Sequence, residues 1–322
     1  LNFFFFFVNM KNQGTCRGES QPASIQIQSV LYKNEPEALV QALDNIANAV
    51  RVDRAWDHAV SDVTVCYGDA SPDPIFTQPE IEALQKKYSD FFTLTYTFFN
   101  QHSGTAAGHN RMAKTCTAEY LQIMNPDVVV CPHLFALMLE PFSVPELRAG
   151  MTEARQTPVE HHKEYDPQTG VTSWAATALA MIPYAVFQEV GGFDKKTFFM
   201  YCDDVDFSWM VREAGYQIIY VPSAIAFHAK RLSPKGGWVP TPAEVYYSAE
   251  AALLMCHKWS APGLLNTILN TYLDTPEDAP QYKAAQEYLK RKREKRLPEP
   301  RDPQHKVAQF VDMGYGPSRF KL

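Results

Sequence analysis

Three carboxylates, Asp203, Asp204 and Asp206, crowd the stretch FFMYCDDVDFSWMVREAGY (198–216), where an aromatic run gives way to helical spacing. Free backbone N–H groups and the helix dipole favour negative charge at a helix start. Three acids so close still repel one another unless a cation, a hydrogen-bond network or a shared proton relieves them. Such a cluster suits general-base chemistry, in which a carboxylate reaches a substrate hydroxyl and takes its proton. A capped surface helix with an acidic first turn is the competing, structural explanation.

Other segments carry groups of matching chemistry. Asn125-Pro126-Asp127 offers a turn with one carboxylate, and His228 ends a β-rich run 24 residues after Asp204. The turn GDASPD (68–73) places Asp69, Ser71 and Asp73 where hydroxyls or a base N–H could be bound, although a plain turn has the same composition. Gly104, Gly108, His109, Asn110 and Arg111 form a Gly-rich entry to a helix. There, backbone N–H groups can approach a diphosphate and Arg111 can pair with it. The spacing is neither GxGxxG nor a Walker motif, so ATP and NAD chemistry are unsupported. Tyr32 could pack on a base, and Trp174 and Trp209 on a sugar, with core packing the alternative for each. The polar stretch 156–174, with His161, His162 and Tyr165, reads as a loop or lid.

The elements that must position these groups follow from periodicity. SIQIQSVLY (24–32), VTVCY (63–67) and FFTLTYTFF (91–99) read as strands, and QIMN (122–125) ends a fourth. Between them lie helices opened by Pro36, spanning 79–88, and following Gly104. This β-α-β-α-β-α-β order predicts a parallel sheet covered by helices on both faces, with ligands at the strands' carboxyl ends. Further on, RAGMTEAR, AATALAMIP (175–183) and YQIIYVPSAIAFH (216–228) read as strands, and TPAEVYYSAEAALLMCHKW (241–259) as a helix.

The composition narrows the function classes. The chain has 322 residues, 46% of them hydrophobic, enough for a large core. A net charge of −6 argues against a nucleic-acid binder. Six scattered cysteines without a CxxC pair point to reduced thiols. No stretch reaches the ~20 apolar residues of a membrane span. Residues 1–20, with LNFFFFFVNM, are set apart as a disordered or extraneous segment.

Taken in order, GDASPD, NQHSGTAAGHNRM (100–112), MNPDV (124–128), GGFDKKTFFMYCDDVDFSWMVREAGY (191–216) and VPSAIAFH (221–228) resemble the family 2 glycosyltransferases of the GT-A fold, nearest their rhamnosyltransferase-like branch. The resemblance implies a mixed, mainly parallel Rossmann-like sheet in a domain over 21–235, with a C-terminal helical extension and tail over 236–322. It implies inverting transfer of a sugar from a nucleotide diphosphate, dTDP-L-rhamnose or a UDP-sugar, to a glycan or lipid-linked acceptor. Asp127 and His228 would hold Mn²⁺ or Mg²⁺, and Asp204 would be the base. Asp203 would orient hydroxyls, and Trp174 would line the acceptor side. Tyr32, Asp69, Ser71, Gly104, Asn110, Arg111 and Asn125 would bind the donor. Asp206 is expected to cap its helix or pair with Arg212. Gly68 and Asn125 stand where the family usually has acids, which keeps a non-catalytic sugar-binding scaffold open; a nucleotidyltransferase would need a basic Gly-rich loop after the first strand, and SVLYKNEPEAL has none. The implied location is cytoplasmic, at the inner membrane face, with the basic run KRKREKR (290–296) either touching anionic lipid or, as is commoner, forming a solvated helix end; residues 281–322 are dispensable for a soluble acceptor if the tail only docks to membrane.

Overall fold

A computed structural model describes residues 21–229, 232–234 and 239–319. The segment set apart at residues 1–20 lies outside the described residues. Among the described residues nine strands form one sheet. They are β1 (Ala23–Leu31), β2 (Val60–Asp69), β3 (Thr93–Phe98), β4 (Tyr120–Met124), β5 (Val128–Val130), β6 (Ala149–Thr157), β7 (Val171–Thr172), β8 (Leu179–Pro183) and β9 (Gln217–His228). The helices are α1 (Pro36–Val52), α2 (Gln78–Tyr88), α3 (Thr105–Ala113), α4 (Leu134–Leu139), α5 (Tyr184–Val190), α6 (Asp203–Glu213), α7 (Pro242–Lys258), α8 (Pro262–Leu273) and α9 (Pro280–Arg293).

The strand order is β3-β2-β1-β4-β8-β6-β9-β5, with β7 paired to β9. β1 to β4 run parallel, β8 runs against both β4 and β6, and β9 runs parallel to β6 and against β5. That alternation has one decisive result. The carboxyl ends of β1 to β4, β6 and β9 lie at the same edge as the amino ends of β5 and β8. Loops from both halves of the chain therefore open onto one rim.

The sheet separates two apolar clusters, and its middle strands feed both. Ile182 of β8 and Ile218 of β9 join the cluster under α5 to α9. Their neighbours Met181 and Ile219 join the one under α1, α2 and α4. Burial on both faces also explains β1, whose apparent polar positions Gln26, Gln28 and Ser29 are all buried. Gln26 donates to the Met112 carbonyl and Ser29 to that of Met124, so neither is left unpaired. A Cβ on Gly108 would stand 2.5 Å from Val30 Cγ2, so glycine there lets α3 lie directly on β1.

Three readings from the sequence change. AATALAMIP is not one strand: β8 begins only at Leu179, and 175–178 is irregular. The strands β5 and β7 and the helices α4 and α8 carried no clear signal. The extension is not peripheral either. Residues of α7, α8 and α9 share the cluster that contains Leu121, Ala180 and Ile218 of the sheet. Arg291 of the basic run reaches back to Glu250 at 2.8 Å, and Arg296 pairs with Glu287 and Glu294. Beyond α9 the chain returns over the core, where Phe310 and Tyr315 meet the Trp209 ring edge-on.

Candidate active site

The rim carries two groups of functional side chains. The first stands where β5 and β9 pair, because the register sets Val128 against His228 and so brings Asp127 beside it. His228 is buried, and its Nδ1 lies 2.9 Å from Gln156 Oε1. An amide oxygen only accepts, so Nδ1 carries the proton and Nε2 presents its lone pair. Nε2 faces Asp127 Oδ1 at 3.3 Å and Asn125 Nδ2 at 3.3 Å. Two acceptors this close repel unless a cation or proton lies between them. Two donors each about 2.1 Å from one ion stand about 3 Å apart, so Asp127 and His228 fit a divalent cation, and Gln156 is its orienting partner. Among the described residues no group of three or more His, Cys, Asp or Glu side chains assembles for a metal. The remaining coordination positions would fall to phosphate oxygens and water.

The second group is the start of α6. Asp203 is buried, and its Oδ2 accepts from Thr105 Oγ1 at 2.9 Å, so the first turns of α3 and α6 meet at this carboxylate. Burial and the adjacent Asp204 raise its pKa to about 7. Asp204 is part-exposed. Burial raises its pKa too, while backbone N–H groups of Val205 and Thr177 and the Lys163 ammonium oppose that. Asp206 lies about 200° round the helix from Asp204 and points into the core. It accepts from Lys258 Nζ and Trp259 Nε1, both at 2.8 Å. Its expected partner Arg212 instead donates to the carbonyls of Ser173 and Val307.

Strained backbone holds this corner. Tyr201 (φ 66°) and Cys202 (φ 55°) are consecutive left-handed residues just before α6. Such conformations each cost about 1–3 kcal/mol and persist only where the surroundings enforce them. Gly104 has φ 85°, and a Cβ there would meet the Phe199 carbonyl oxygen at 2.0 Å. Thr105 N donates to that same oxygen at 3.1 Å, which fixes the 199–202 segment over α3.

One short segment joins the two groups. Asn125 N donates to the Ala178 carbonyl at 2.9 Å, and Ala175 N donates at 3.0 Å to Ser208 Oγ, which itself donates to the Asp204 carbonyl at 2.7 Å. The metal-fitting pair and the acidic helix start are thus linked through residues 175–178. The sequence reading missed this turn because it took 175–178 as part of a strand. It also missed Thr105, at the first position of α3, and Gln156, whose signal was a polar residue near the end of an otherwise buried strand.

Several expected donor contacts sit differently. Asp69 is fully buried: Oδ1 accepts from Ser71 N at 2.9 Å, and Oδ2 accepts from Ile75 N at 2.8 Å and from the Tyr96 hydroxyl. In this structure it shapes its loop and presents no open oxygen. Ser71 is likewise buried, its Oγ accepting from Lys33 N, whereas Asp73 on the same turn is exposed. Asn110 is already engaged: it clamps the backbone of Phe193 with Nδ2 donating at 2.7 Å and Oδ1 accepting at 2.9 Å. Arg111 lies at the far end of α3 and donates to the Phe99 carbonyl. Trp174 is only 8% exposed, and Lys163 Nζ lies 3.9 Å from its ring centroid, so the ring offers no open stacking wall. Trp209 is fully buried. Tyr32 stays 42% exposed and stacks on His102 at 3.9 Å, the start of an aromatic row that continues through Phe199 to Tyr247.

No protein-family profile matches the chain. Two curated N-acetylglucosaminyl-diphospho-decaprenol L-rhamnosyltransferases, from two Mycobacterium tuberculosis strains, are 32% identical to it over 74 residues, 23% of this chain and 24% of theirs. Rhamnosyltransferase WbbL of Escherichia coli K12 is 39% identical over 59 residues, 18% of this chain and 21% of that one. The aligned stretches thus span no more than about a quarter of these relatives. Among solved structures, GalNAc-T7 with UDP, GalNAc and Mn²⁺ superposes with a TM-score of 0.60 at 12% identity, over 87% of this chain and 56% of that one. The mannosyltransferase PcManGT of Pyrobaculum calidifontis, with GDP-Man and Mn²⁺, superposes with a TM-score of 0.53 at 16% identity, over 84% and 76%.

Proposed function

We propose that this chain, which has the GT-A glycosyltransferase fold and short stretches of identity with rhamnosyltransferases, moves a sugar from a nucleotide diphosphate to an acceptor hydroxyl with inversion. The observation that carries the reading is the 175–178 segment, bound to Asn125 at one end and through Ser208 to the Asp204 backbone at the other. A leaving diphosphate and an attacking hydroxyl must occupy neighbouring places, and a shared segment between the two groups supports that arrangement.

In this reading Asp204, the more exposed acid, takes the proton of the acceptor hydroxyl. The hydroxyl oxygen then attacks the anomeric carbon from the face opposite the diphosphate, and the nucleotide diphosphate departs. Asp203, at two helix starts, orients a hydroxyl beside it. Asp127 and His228 would hold a divalent cation, Mn²⁺ or Mg²⁺, which when bound supplies positive charge for the departing phosphates. Tyr32, still partly open, would face the base, and Asn125 the sugar or phosphate. The names of the matched relatives favour L-rhamnose as the sugar and a lipid-linked glycan as acceptor; dTDP as the carrier and a cytoplasmic, membrane-apposed site of action are proposed with them. Among the described residues no helix is long and apolar enough to cross a membrane.

The test is a nucleotide-sugar screen with Mn²⁺ or Mg²⁺ present, read as release of free nucleotide diphosphate. Asp204→Asn should keep donor binding and lower turnover by about 10²–10⁴, the usual contribution of a positioned base. Wild-type turnover in that variant would overturn the assignment, and no release from any nucleotide sugar would favour the sugar-binding scaffold.

A further inference from the structure

Behind Asp204 lies a charged pair that the transfer reading leaves unused. Lys163, from the 156–174 loop, forms an ion pair with Glu153 of β6, and both side chains are nearly sealed, at 4% and 3% exposure. Burying two charges is costly unless their geometry returns the loss, so a sealed pair beside a reaction site calls for an explanation. The ammonium also sits over Trp174 at 3.9 Å, with His161 edge-on to the same ring at 5.0 Å.

Three features fix this cation in place. The Glu153 carboxylate pairs with the ammonium, and the Trp174 ring lies against it at 3.9 Å. Ser208 Oγ donates to the Asp204 carbonyl at 2.7 Å and accepts from Ala175 N at 3.0 Å, which clamps the segment after Trp174 to α6 at Asp204. From outside, the returning C-terminal segment brackets Lys163 on either side: Glu164 N donates to the Pro317 carbonyl at 2.8 Å, and Arg319 N to the His162 carbonyl at 3.0 Å. Lys163 itself bridges to Ser318.

We propose that Lys163 is a positioning residue of the transfer site: its ammonium, held between Glu153 and Trp174 and fastened from outside by residues 317–319, keeps Asp204 ionised to accept the acceptor's proton. This rests on Asp204 being the base. The charged and titratable groups around Asp204 are Asp203 and Asp206 on its own helix, Cys202 just before it, Lys163 from the loop and Glu153 from β6. Of these only Lys163 is a cation. Burial drives Lys163 towards the neutral form, and Glu153 and Asp204 both oppose that.

The two partners make opposite predictions. Lys163→Met removes the positive charge, so the acid limb of the kcat profile should move up by about one pH unit, a roughly tenfold loss on that limb. Glu153→Gln removes a negative charge and leaves the cation, so the same limb should move down. Lys163→Arg should restore the wild-type position, and the donor KM should change little in all three. A purely structural pair would lower kcat alike at every pH, and either that result or shifts of the same sign would overturn the proposal. If Lys163→Met does not fold, judged by loss of a cooperative melt, Glu153→Gln decides alone: an unmoved or raised limb overturns the role. An inactive Glu153→Gln that still folds would do so as well. Full turnover by Asp204→Asn would instead remove the base itself, so the two failures are separable.

Discussion

At the scale of single residues, environment splits one acidic run into three tasks. Asp206 is held in the core by Lys258 and Trp259, Asp203 is buried against Thr105, and Asp204 stays partly open. Asp203 gives a stability signature. Its pKa rises from 3.8 to about 7, so the folded state holds a proton that the unfolded chain releases. The associated stability is full below the unfolded value and is lost as pH climbs between these two values. The melting temperature should therefore fall from pH 5 to pH 8, and Asp203→Asn should flatten that decline. An unchanged slope in the variant would show that Asp203 is not the group responsible. At the other group, Asp127→Ala should abolish the metal dependence of nucleotide binding, measured by titration calorimetry with and without Mn²⁺, and undiminished dependence would exclude it as a ligand.

At the scale of elements, helix starts are aimed by contacts made far along the chain. α3 reaches Asp203 because Gly104 accepts a left-handed turn with the Phe199 carbonyl against it. Gly104→Ala forces both a strained φ and a clash, so it should cost at least about 1 kcal/mol and loosen Thr105 from Asp203. Thermal melts would show the first effect and a shifted pH–rate profile the second. α6 is pinned at its back by Lys258, which binds Asp206 and Asp194 at 2.8 Å each. Lys258→Met strands the buried Asp206 and the half-buried Asp194, and the expected loss is about 3–5 kcal/mol in denaturant unfolding. A loss under 1 kcal/mol would mean the pair is solvated.

At the scale of the whole molecule, the C-terminal third is part of the packed core that carries the sheet. Arg212 donates to the Val307 carbonyl at 2.8 Å, Tyr315 OH lies 3.1 Å from Cys202 Sγ, and α9 is tied to α7 through Arg291 and Glu250. If the tail only docked to membrane, removing residues 281–322 would spare transfer to a soluble acceptor. It is now expected to expose the Trp209 cluster and give protein without a cooperative melt; a folded, active remnant would refute this. Donor and metal together should raise stability by about 2.7 kcal/mol at 100 times Kd if they bind only the folded state, and a thermal-shift series reads this directly.

What the sequence determined by itself was local. Periodicity marked β1 to β3 and α1 to α3, and the acids and His228 were set at element ends, because strand alternation and helix starts are written in neighbouring residues. Which of those ends meet was decided only by tertiary structure. The reversed direction of β8 brings 174–178 to the rim, and the pairing of β5 with β9 brings Asp127 to His228. Neither follows from spacing, since both join segments far apart along the chain. Asp69, Asn110 and Trp174 were likewise decided by packing. Their residue types suit a ligand, yet Ser71, Ile75 and Tyr96 claim the oxygens of the first, Phe193 the amide of the second and Lys163 the ring face of the third. A side chain's chemistry is fixed by its type, but its availability is fixed by whatever the fold packs against it.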